Sequence, residues 1–308
     1  MDTIAALSSG ALPAGIAVIR LSGPDAFLVT QLITDLGDRL LWTEDRKARL
    51  TDIRDPQTKE VLDRGLVLAF KAPGSFTGED VVELHLHGSR AVVDHLLSSL
   101  SKLEKVRLAE PGEYTRRAFV NGKMDLVATE ALGDLIQAET QSQRRLSLIT
   151  ADGALAEMYR HWRDMVLRGR AMIEADIDFA DEDDVPGSVV DSVFEQLPAL
   201  IDEIRSQIKN AEVAERVRQG FRMVIFGPPN AGKSTLLNAL AGREAAIVTD
   251  IPGTTRDMIE VQLDLGGYLV RVVDTAGIRE TDETVEKLGV DRALAAASEA
   301  DLVLNLSS

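Results

Sequence analysis

The sequence predicts a multidomain protein of mixed fold class, α+β in its N-terminal part, helical in the middle and α/β at its C-terminal end. Three changes of pattern along the 308 residues indicate this organisation. Short β-type runs and turns fill residues 1–120, apolar residues at helical spacing fill 121–219, and strands alternate with helices over 220–308. We therefore expect three domains with these boundaries, the last a partial, doubly wound α/β domain.

The first two domains follow from local periodicity. Strands are predicted at 15–21, 65–70 and 80–87, where apolar β-type runs are bounded by glycine and proline turns. Apolar residues recur every three or four positions over 128–136 and again over 158–177, which predicts a bundle of long helices. The bundle is expected to be broken once, at 181–187. There an acidic run and a Pro-Gly pair favour a solvated turn over a metal site, because no ligand spacing is visible.

The C-terminal domain alternates strands and helices. Strands are predicted at 221–226, 259–265, 268–273 and 301–306, and helices at 233–240 and around 284–297. Gly266 and Gly267 form the expected two-residue hairpin turn between the second and third strands.

Composition excludes several classes of function. Acidic residues outnumber basic ones 50 to 34, a net charge of −16, so any contact with RNA must be local or made through a partner. The absence of cysteine excludes disulfides, thiolate metal sites and cysteine nucleophiles. No apolar run approaches the roughly 20 residues of a membrane helix, and no leader pattern precedes the first strand, so we expect a cytoplasmic protein.

The segment Gly227-Pro-Pro-Asn-Ala-Gly-Lys-Ser234 matches the P-loop pattern and lies between a predicted strand and a predicted helix. Its glycines allow backbone N–H groups to surround a β-phosphate, and the helix N-terminus adds a favourable dipole. Lys233 reaches the terminal phosphates and Ser234 offers a hydroxyl to Mg²⁺. This context predicts a nucleoside triphosphate site rather than an ordinary glycine-rich turn.

Two later segments occur in the order that a GTPase requires. Gly253-Thr-Thr-Arg-Asp257 supplies Thr255 for Mg²⁺ and the γ-phosphate, and Asp274-Thr-Ala-Gly277 follows a predicted strand. Ile278 stands where Ras-type GTPases carry a water-orienting glutamine, and it cannot form hydrogen bonds. Nearby carboxylates could orient the water instead, and the residues alone do not distinguish Glu280, Glu283 and Glu286.

Residues 227–257 resemble the G domain of the MnmE (TrmE) family of tRNA-modifying GTPases almost throughout. Residues 75–80, 107–119 and 121–126 are similar to the N-terminal domain and following helix of the same family. Era-type and Der-type GTPases share only the first match, so the resemblance to the MnmE family covers the whole chain.

The resemblance implies a K⁺-activated GTP hydrolase with an N-terminal folate-binding dimerisation domain. It also implies a homodimer that joins an MnmG-type flavoprotein in a heterotetramer and modifies carbon 5 of the wobble uridine of certain tRNAs. The tRNA would be contacted largely through the partner, and 5,10-methylene- or 5-formyl-tetrahydrofolate would be the one-carbon donor.

The resemblance also implies the residues of each site. Those that would contact GTP are Asn230, Ala231, Gly232, Lys233, Ser234, Thr235, Thr249, Asp250, Ile251, Pro252, Gly253, Thr254, Thr255, Asp274, Thr275, Ala276 and Gly277. Mg²⁺ would be bound by Ser234 and Thr255. The implied K⁺ ligands are Asn230, Thr249, Ile251 and Thr254, although Asn230 could also be a simple turn residue.

Catalysis and folate binding are likewise assigned by resemblance. Glu286 is the implied water-orienting carboxylate and acts with Lys233. The implied folate contacts are Arg20, Glu79 and Lys123. His85 and His87, two residues apart, could form a metal pair, but packing or surface roles are favoured because no third ligand is evident. Packing roles are also expected for Trp42 and Trp162.

The sequence ends before the Asn-Lys-x-Asp element that reads guanine in GTPases, so the choice of GTP over ATP rests on the resemblance alone. We therefore expect a C-terminally truncated member with half of the helical domain and an incomplete G domain. Two alternatives remain. One is a folate-binding dimerisation module with a non-catalytic G domain. The other is a ribosome-assembly GTPase, which would need a basic RNA-binding appendage that this acidic chain lacks.

Overall fold

The computed structural model describes residues 2–36, 46–178, 188–227, 231–242, 247, 260–274 and 297–307. The chain forms two compact units, Met1–Thr129 and Glu130–Ser308. The predicted division into three domains stays a prediction. No helix in these described ranges combines the length and the apolar character needed to cross a bilayer.

The first unit is built on a six-stranded sheet in the order β3-β4-β5-β2-β1-β6. The strands are β1 (Thr3–Leu7), β2 (Ala14–Ser22), β3 (Arg49–Arg54), β4 (Val61–Phe70), β5 (Val81–Gly88) and β6 (Val106–Leu108). Neighbouring strands are antiparallel except β1 and β6, which are parallel. The three predicted strands are confirmed as β2, β4 and β5, whereas the sequence reasoning missed β1, β3 and β6.

Two helices that were not predicted, α1 (Ala26–Ile33) and α2 (Arg90–Leu100), contribute to the core of this sheet. Phe27 of α1 and Leu96 of α2 are fully buried with strand residues such as Ile19 and Leu84. Because side chains alternate along a strand, the neighbours of the buried strand residues point to the opposite face of the sheet. Leu50 and Leu66, opposed across β3 and β4, are exposed at 61% and 40%.

The middle of the chain is helical, as predicted, but in shorter pieces. The helices are α3 (Glu113–Val120), α4 (Leu126–Gln137), α5 (Gln141–Ala151), α6 (Ala154–Asp178) and α7 (Ser188–Gln219). The prediction of a single break was therefore wrong. Gly122 and Gly153 adopt positive φ at two of the interruptions, and Thr140 forms a capping box with Gln143 at the third. The turn predicted at 181–187 lies outside the described residues.

The C-terminal sheet has the order β10-β7-β9-β8. It consists of β7 (Phe221–Phe226), β8 (Glu260–Leu265), β9 (Tyr268–Asp274) and β10 (Leu302–Asn305), with α8 (Lys233–Leu240) following β7. Strand β7 is parallel to β9 and β10, and β8 pairs antiparallel with β9 through the predicted two-residue turn. The predicted strands and the helix at 233–240 are confirmed within two residues at each end. Most of the helix predicted around 284–297 lies outside the described residues.

Candidate functional site

The P-loop occupies the carboxyl end of β7, which runs through the interior of the C-terminal sheet. Gly232 adopts φ +88° and precedes the first residue of α8, Lys233. The buried ammonium group of Lys233 donates a 2.7 Å hydrogen bond to the carbonyl oxygen of Gly227. The lysine therefore connects the two ends of the loop. Its charge lies beside the start of a helix, where the first N–H groups have no intrahelical partner and favour anions.

Gly227 is held against the last strand. An added Cβ at this position would lie 2.5 Å from the carbonyl oxygen of Leu306, a backbone atom. The Leu306 N–H in turn donates to the carbonyl oxygen of Phe226 at 2.7 Å. Glycine is required here because the chain after β10 approaches the start of the P-loop too closely for any side chain.

A second polar cluster lies in the first unit, around the loop at 73–80. The Arg20 guanidinium donates twice to one oxygen of Glu83, at 2.7 and 3.0 Å. The rings of Phe76 and Tyr114 lie within 5.8 and 5.5 Å of its central carbon, in the range of a cation–π contact. Burial raises the pKa of Tyr114, whose hydroxyl donates to the carbonyl oxygen of Arg20. The backbone and guanidinium of Arg20 are thereby fixed.

Glu79, in the same loop, is nearly buried, and its carboxylate accepts hydrogen bonds from neighbouring side chains. Ser22 donates to its Oε2 at 2.7 Å, and Arg117 Nη1 lies 3.1 Å from both of its oxygens. Since the single hydroxyl hydrogen of Ser22 goes to Glu79, the 2.7 Å contact between Ser22 and Thr77 must be donated by Thr77. The carboxylate is thus oriented by a chain of hydrogen bonds.

Lys123 meets this loop from the other side. Its Nζ donates to the carbonyl oxygen of Pro73 at 2.9 Å, and its stem passes Gly78 so closely that a Cβ there would lie 3.2 Å from Lys123 Cγ. Gly78 also has φ +79°. The loop is therefore closed over Lys123 by a glycine that permits both the contact and the backbone conformation.

Comparisons with known proteins give matches along nearly the whole chain. Residues 3–123 match the model of the GTP-binding protein TrmE N-terminus, and residues 222–308 match the model of the 50S ribosome-binding GTPase. Over 305 residues the chain is 56% identical to the tRNA modification GTPase MnmE of Mesorhizobium japonicum, 54% to that of Brucella ovis and 53% to that of Agrobacterium fabrum. Each alignment covers 99% of this chain and 68% of the relative. The chain belongs to the MnmE family.

The resemblance stated from the motifs is thereby confirmed, as are the mixed α+β and α/β fold class and the assignment to a family of GTP-hydrolysing enzymes. The G domain of the T. maritima FeoB iron transporter is 29% identical over 28% of this chain and 54% of that one, with a TM-score of 0.20. That score is too low for a comparison of folds.

The structure describes only part of the nucleotide site expected for an MnmE-family G domain. Ala231, Gly232, Lys233 and Thr235 are described in full, and Ser234 and Asp274 by their backbone. Asp274 pairs with Ile225, two residues before Gly227, so the end of β9 and the P-loop lie at the same edge of the parallel strands. The remaining predicted residues lie outside the described ranges: Asn230, Thr249, Asp250, Ile251, Pro252, Gly253, Thr254, Thr255, Thr275, Ala276, Gly277 and Glu286.

Sequence reasoning missed the ion-pair network behind Glu79. Hydrogen bonds from Arg107, at 2.6 and 2.8 Å, hold the pKa of Glu113 down to about 2, although burial alone would raise it. Arg117 joins Glu113 to Glu79 and to Asp2. The only local signal was the i,i+4 spacing of Glu113 and Arg117 on a short helix; Asp2 and Glu79 approach from distant parts of the sequence.

A cavity of about 520 Å³ lies in the second unit, between the helices and strands β8 and β9. Its lining mixes apolar residues such as Leu146 and Leu269 with charged ones, including Asp134, Glu139, Arg218 and Arg271. Gln143 stabilises its wall, because its Nε2 donates to the carbonyl oxygen of Arg218 at 2.8 Å.

The remaining candidates of the sequence analysis have local partners. His85 contacts Glu83, and His87 contacts Asp63, so the two histidines bind different carboxylates. Trp162 packs edge-to-face on Tyr159 at 5.4 Å between ring centroids. Trp42 lies outside the described residues.

Proposed function

We propose that this chain is a K⁺-activated GTP hydrolase that acts in tRNA modification. With an MnmG-type flavoprotein it would modify carbon 5 of the wobble uridine of certain tRNAs, adding an aminomethyl-type group from a folate one-carbon donor. The observation that carries the nucleotide part is the P-loop at the carboxyl end of β7, with Lys233 at the start of α8. The names of the relatives support the tRNA part.

GTP hydrolysis needs positive charge placed where charge develops on the transferred phosphoryl group. Lys233 and the N–H groups at the N-terminus of α8 would supply it, after the lysine exchanges the Gly227 carbonyl for phosphate oxygens. Ser234 and Thr255 would hold Mg²⁺. The N–H of Leu236 donates to the carbonyl oxygen of Gly232, so α8 begins at the P-loop, where a helix N-terminus favours an anion.

A monovalent cation is proposed beside the phosphates, bound by Asn230 and by Thr249, Ile251 and Thr254. Such a cation stabilises developing charge where other GTPases use an arginine finger. Glu286 is proposed to orient the attacking water, because Ile278 cannot do so.

Folate binding is proposed for the cluster of Arg20, Glu79 and Lys123. A pterin ring presents N–H donors that suit the Glu79 carboxylate, and the carboxylates of the folate tail suit Arg20 and Lys123. All three side chains contact, or belong to, the loop at 73–80, which supports a single site.

A homodimer is proposed through the first unit. Ile16, Leu50 and Leu66 expose apolar side chains on the sheet of this unit, and a second copy would cover them. The net charge of −16 supports tRNA contact mainly through the flavoprotein. A monomeric mass at micromolar concentration would contradict the dimer.

The deciding experiment compares hydrolysis of GTP and ATP by the purified chain in KCl and in NaCl at equal ionic strength. We expect GTP turnover in K⁺, little in Na⁺, and little ATP turnover in either. Asn230→Ala should remove the difference between the two salts, and Lys209→Ala, an exposed change on α7, should leave it intact. No turnover in either salt, with 5-formyl-tetrahydrofolate still bound, would instead favour a folate-binding module with a non-catalytic G domain.

A further inference from the structure

We infer that Arg117 is a positioning residue that holds the Glu79 carboxylate in the orientation needed to bind folate. This inference rests on the folate site proposed above. It adds a residue that does not itself contact the ligand and that acts from behind Glu79.

The guanidinium of Arg117 is shared between three carboxylates. Nη1 donates to Glu79 and, at 2.8 Å, to the carbonyl oxygen of Asp2. Nη2 donates to Asp2 Oδ1 at 2.8 Å and to Glu113 Oε1 at 3.2 Å. These hydrogen bonds to Asp2 and Glu113 fix the orientation of the planar guanidinium, and with it the position of Nη1 beside Glu79.

Glu79 needs this support because little of it is in water. Its side chain is 11% exposed, and that of Arg117 is 8% exposed. A carboxylate so far buried is costly unless it is paired and hydrogen-bonded. Arg117 is therefore the counter-ion that stabilises the Glu79 carboxylate in this position.

The carboxylate keeps capacity for a ligand. Its two oxygens offer about four acceptor positions. Arg117 contacts both oxygens from one side and Ser22 contacts Oε2. These three contacts leave acceptor capacity on the carboxylate, which suits the N–H donors of a pterin ring.

Lysine cannot replace this arrangement, although it keeps the charge. A guanidinium holds several acceptors in one plane, whereas an ammonium group is a single flexible point of charge. We therefore expect Arg117→Lys to let Glu79 move while the protein still folds.

The test measures binding of 5-formyl-tetrahydrofolate by calorimetry to the full chain, with thermal unfolding in parallel. Arg117→Lys should weaken binding roughly tenfold or more, the scale of a charge-assisted hydrogen bond. The matched control is Arg116→Lys on the same helix, whose guanidinium is exposed and contacts Glu110 and Glu113 but not Glu79. The control should bind within about twofold of the unmodified chain.

A double-mutant cycle separates positioning from general destabilisation. In a Glu79→Gln background, Arg117→Lys should cause little further loss, because the group that it positions is already changed. An equal loss in both backgrounds would overturn the inference, and so would unchanged binding by Arg117→Lys alone.

A second variant covers the case in which Arg117→Lys does not fold. Asp2→Ala removes one side-chain acceptor of Arg117 at an exposed position, and we expect a loss of a few-fold in folate affinity without loss of the fold. Unchanged affinity would overturn the inference. Absence of binding by the unmodified chain would overturn the proposed folate function, and the inference with it, which distinguishes that failure from the others.

Discussion

Lys233 Nζ lies 2.7 Å from the carbonyl oxygen of Gly227, so the P-loop lysine bonds the residue at the opposite end of its own loop. Gly227 directly follows β7, and Lys233 is the first residue of α8. The contact keeps a buried ammonium group hydrogen-bonded next to the helix N-terminus. In the proposed nucleotide complex, phosphate oxygens would take the place of this carbonyl.

Replacement of this lysine should therefore lower GTP hydrolysis strongly and affect folding little. We expect Lys233→Ala to lower GTP turnover on the order of 10²–10³-fold, the usual loss when one preorganised donor to a transition state is removed. The measurement is steady-state phosphate release in KCl with Mg²⁺, beside the far-UV circular dichroism of the variant. Lys209→Ala, on the exposed face of α7, is the control, and equal activity of the two variants would argue against a catalytic P-loop.

The cap of α5 should contribute measurably to the second unit. Thr140 Oγ1 accepts from the N–H of Gln143, and Gln143 Oε1 accepts from the N–H of Thr140 at 3.0 Å. Thr140→Ala should lower the free energy of unfolding by about 1 kcal/mol, because it leaves helix N–H groups without a partner.

Urea unfolding checks this value, with Thr150→Ala as the control inside the same helix. Thr150 bonds only to the carbonyl oxygen of Leu146 among the described contacts, and alanine is the better helix former there. A loss at position 150 as large as that at 140 would contradict a specific capping effect.

Local pattern predicted the C-terminal sheet well and the N-terminal sheet only in part. Strands β7, β8 and β9 alternate clearly and are separated by strong turn residues, so their periods are visible in short windows. Strands β1 and β6 are short, and β6 pairs in the sheet only through β1, with Val106 opposite Thr3, a hundred residues away. No local window contains that pairing. Helix α1 was missed for a different reason: it is short, and six of its eight residues are apolar, so the run shows little contrast between an apolar and a polar face.

The candidate site residues divide in the same way: those in a local sequence motif could be predicted, and those brought together only by the fold could not. Lys233 was predicted because a contiguous motif carries the P-loop, and the resemblance supplied Glu79. Arg117 was not predicted, because its role arises where Asp2, Glu79 and Glu113 converge in space. A single charged residue on a short helix gives no sequence signal of such a role.

The Arg107–Glu113 pair predicts a specific loss of stability in acid. Hydrogen bonds, first of all from Arg107 and then from the Glu110 N–H and Arg117, lower the pKa of Glu113 from 4.5 to about 2, so the unfolded chain binds a proton more readily than the folded one. The pair therefore stabilises the protein fully above about pH 4.5, and this stabilisation is lost as the pH falls towards 2. The expected loss from this group is on the order of 2–3 kcal/mol.

Urea unfolding at pH 7 and at pH 3 tests this, in the unmodified chain and in Glu113→Gln. The variant should be less stable at pH 7, and the gap between the two proteins should narrow at pH 3. Glu110→Gln, an exposed neighbour that pairs with Arg116, is the control and should follow the unmodified chain. A gap that stays constant with pH would show that Glu113 does not titrate in this window.

Gly78, in the loop at 73–80, and Gly122, after α3, both have positive φ and differ in the space around them. A Cβ at Gly78 (φ +79°) would be crowded, at 3.2 Å from Lys123 Cγ and 3.3 Å from Asn121 Cβ, whereas Gly122 (φ +68°) has nothing within 4 Å. Both alanine variants should lose about 1 kcal/mol of stability from the left-handed backbone. Only Gly78→Ala should also weaken binding of 5-formyl-tetrahydrofolate, because Lys123 and the loop must move apart. Equal affinities of the two variants would separate the loop at 73–80 from folate binding.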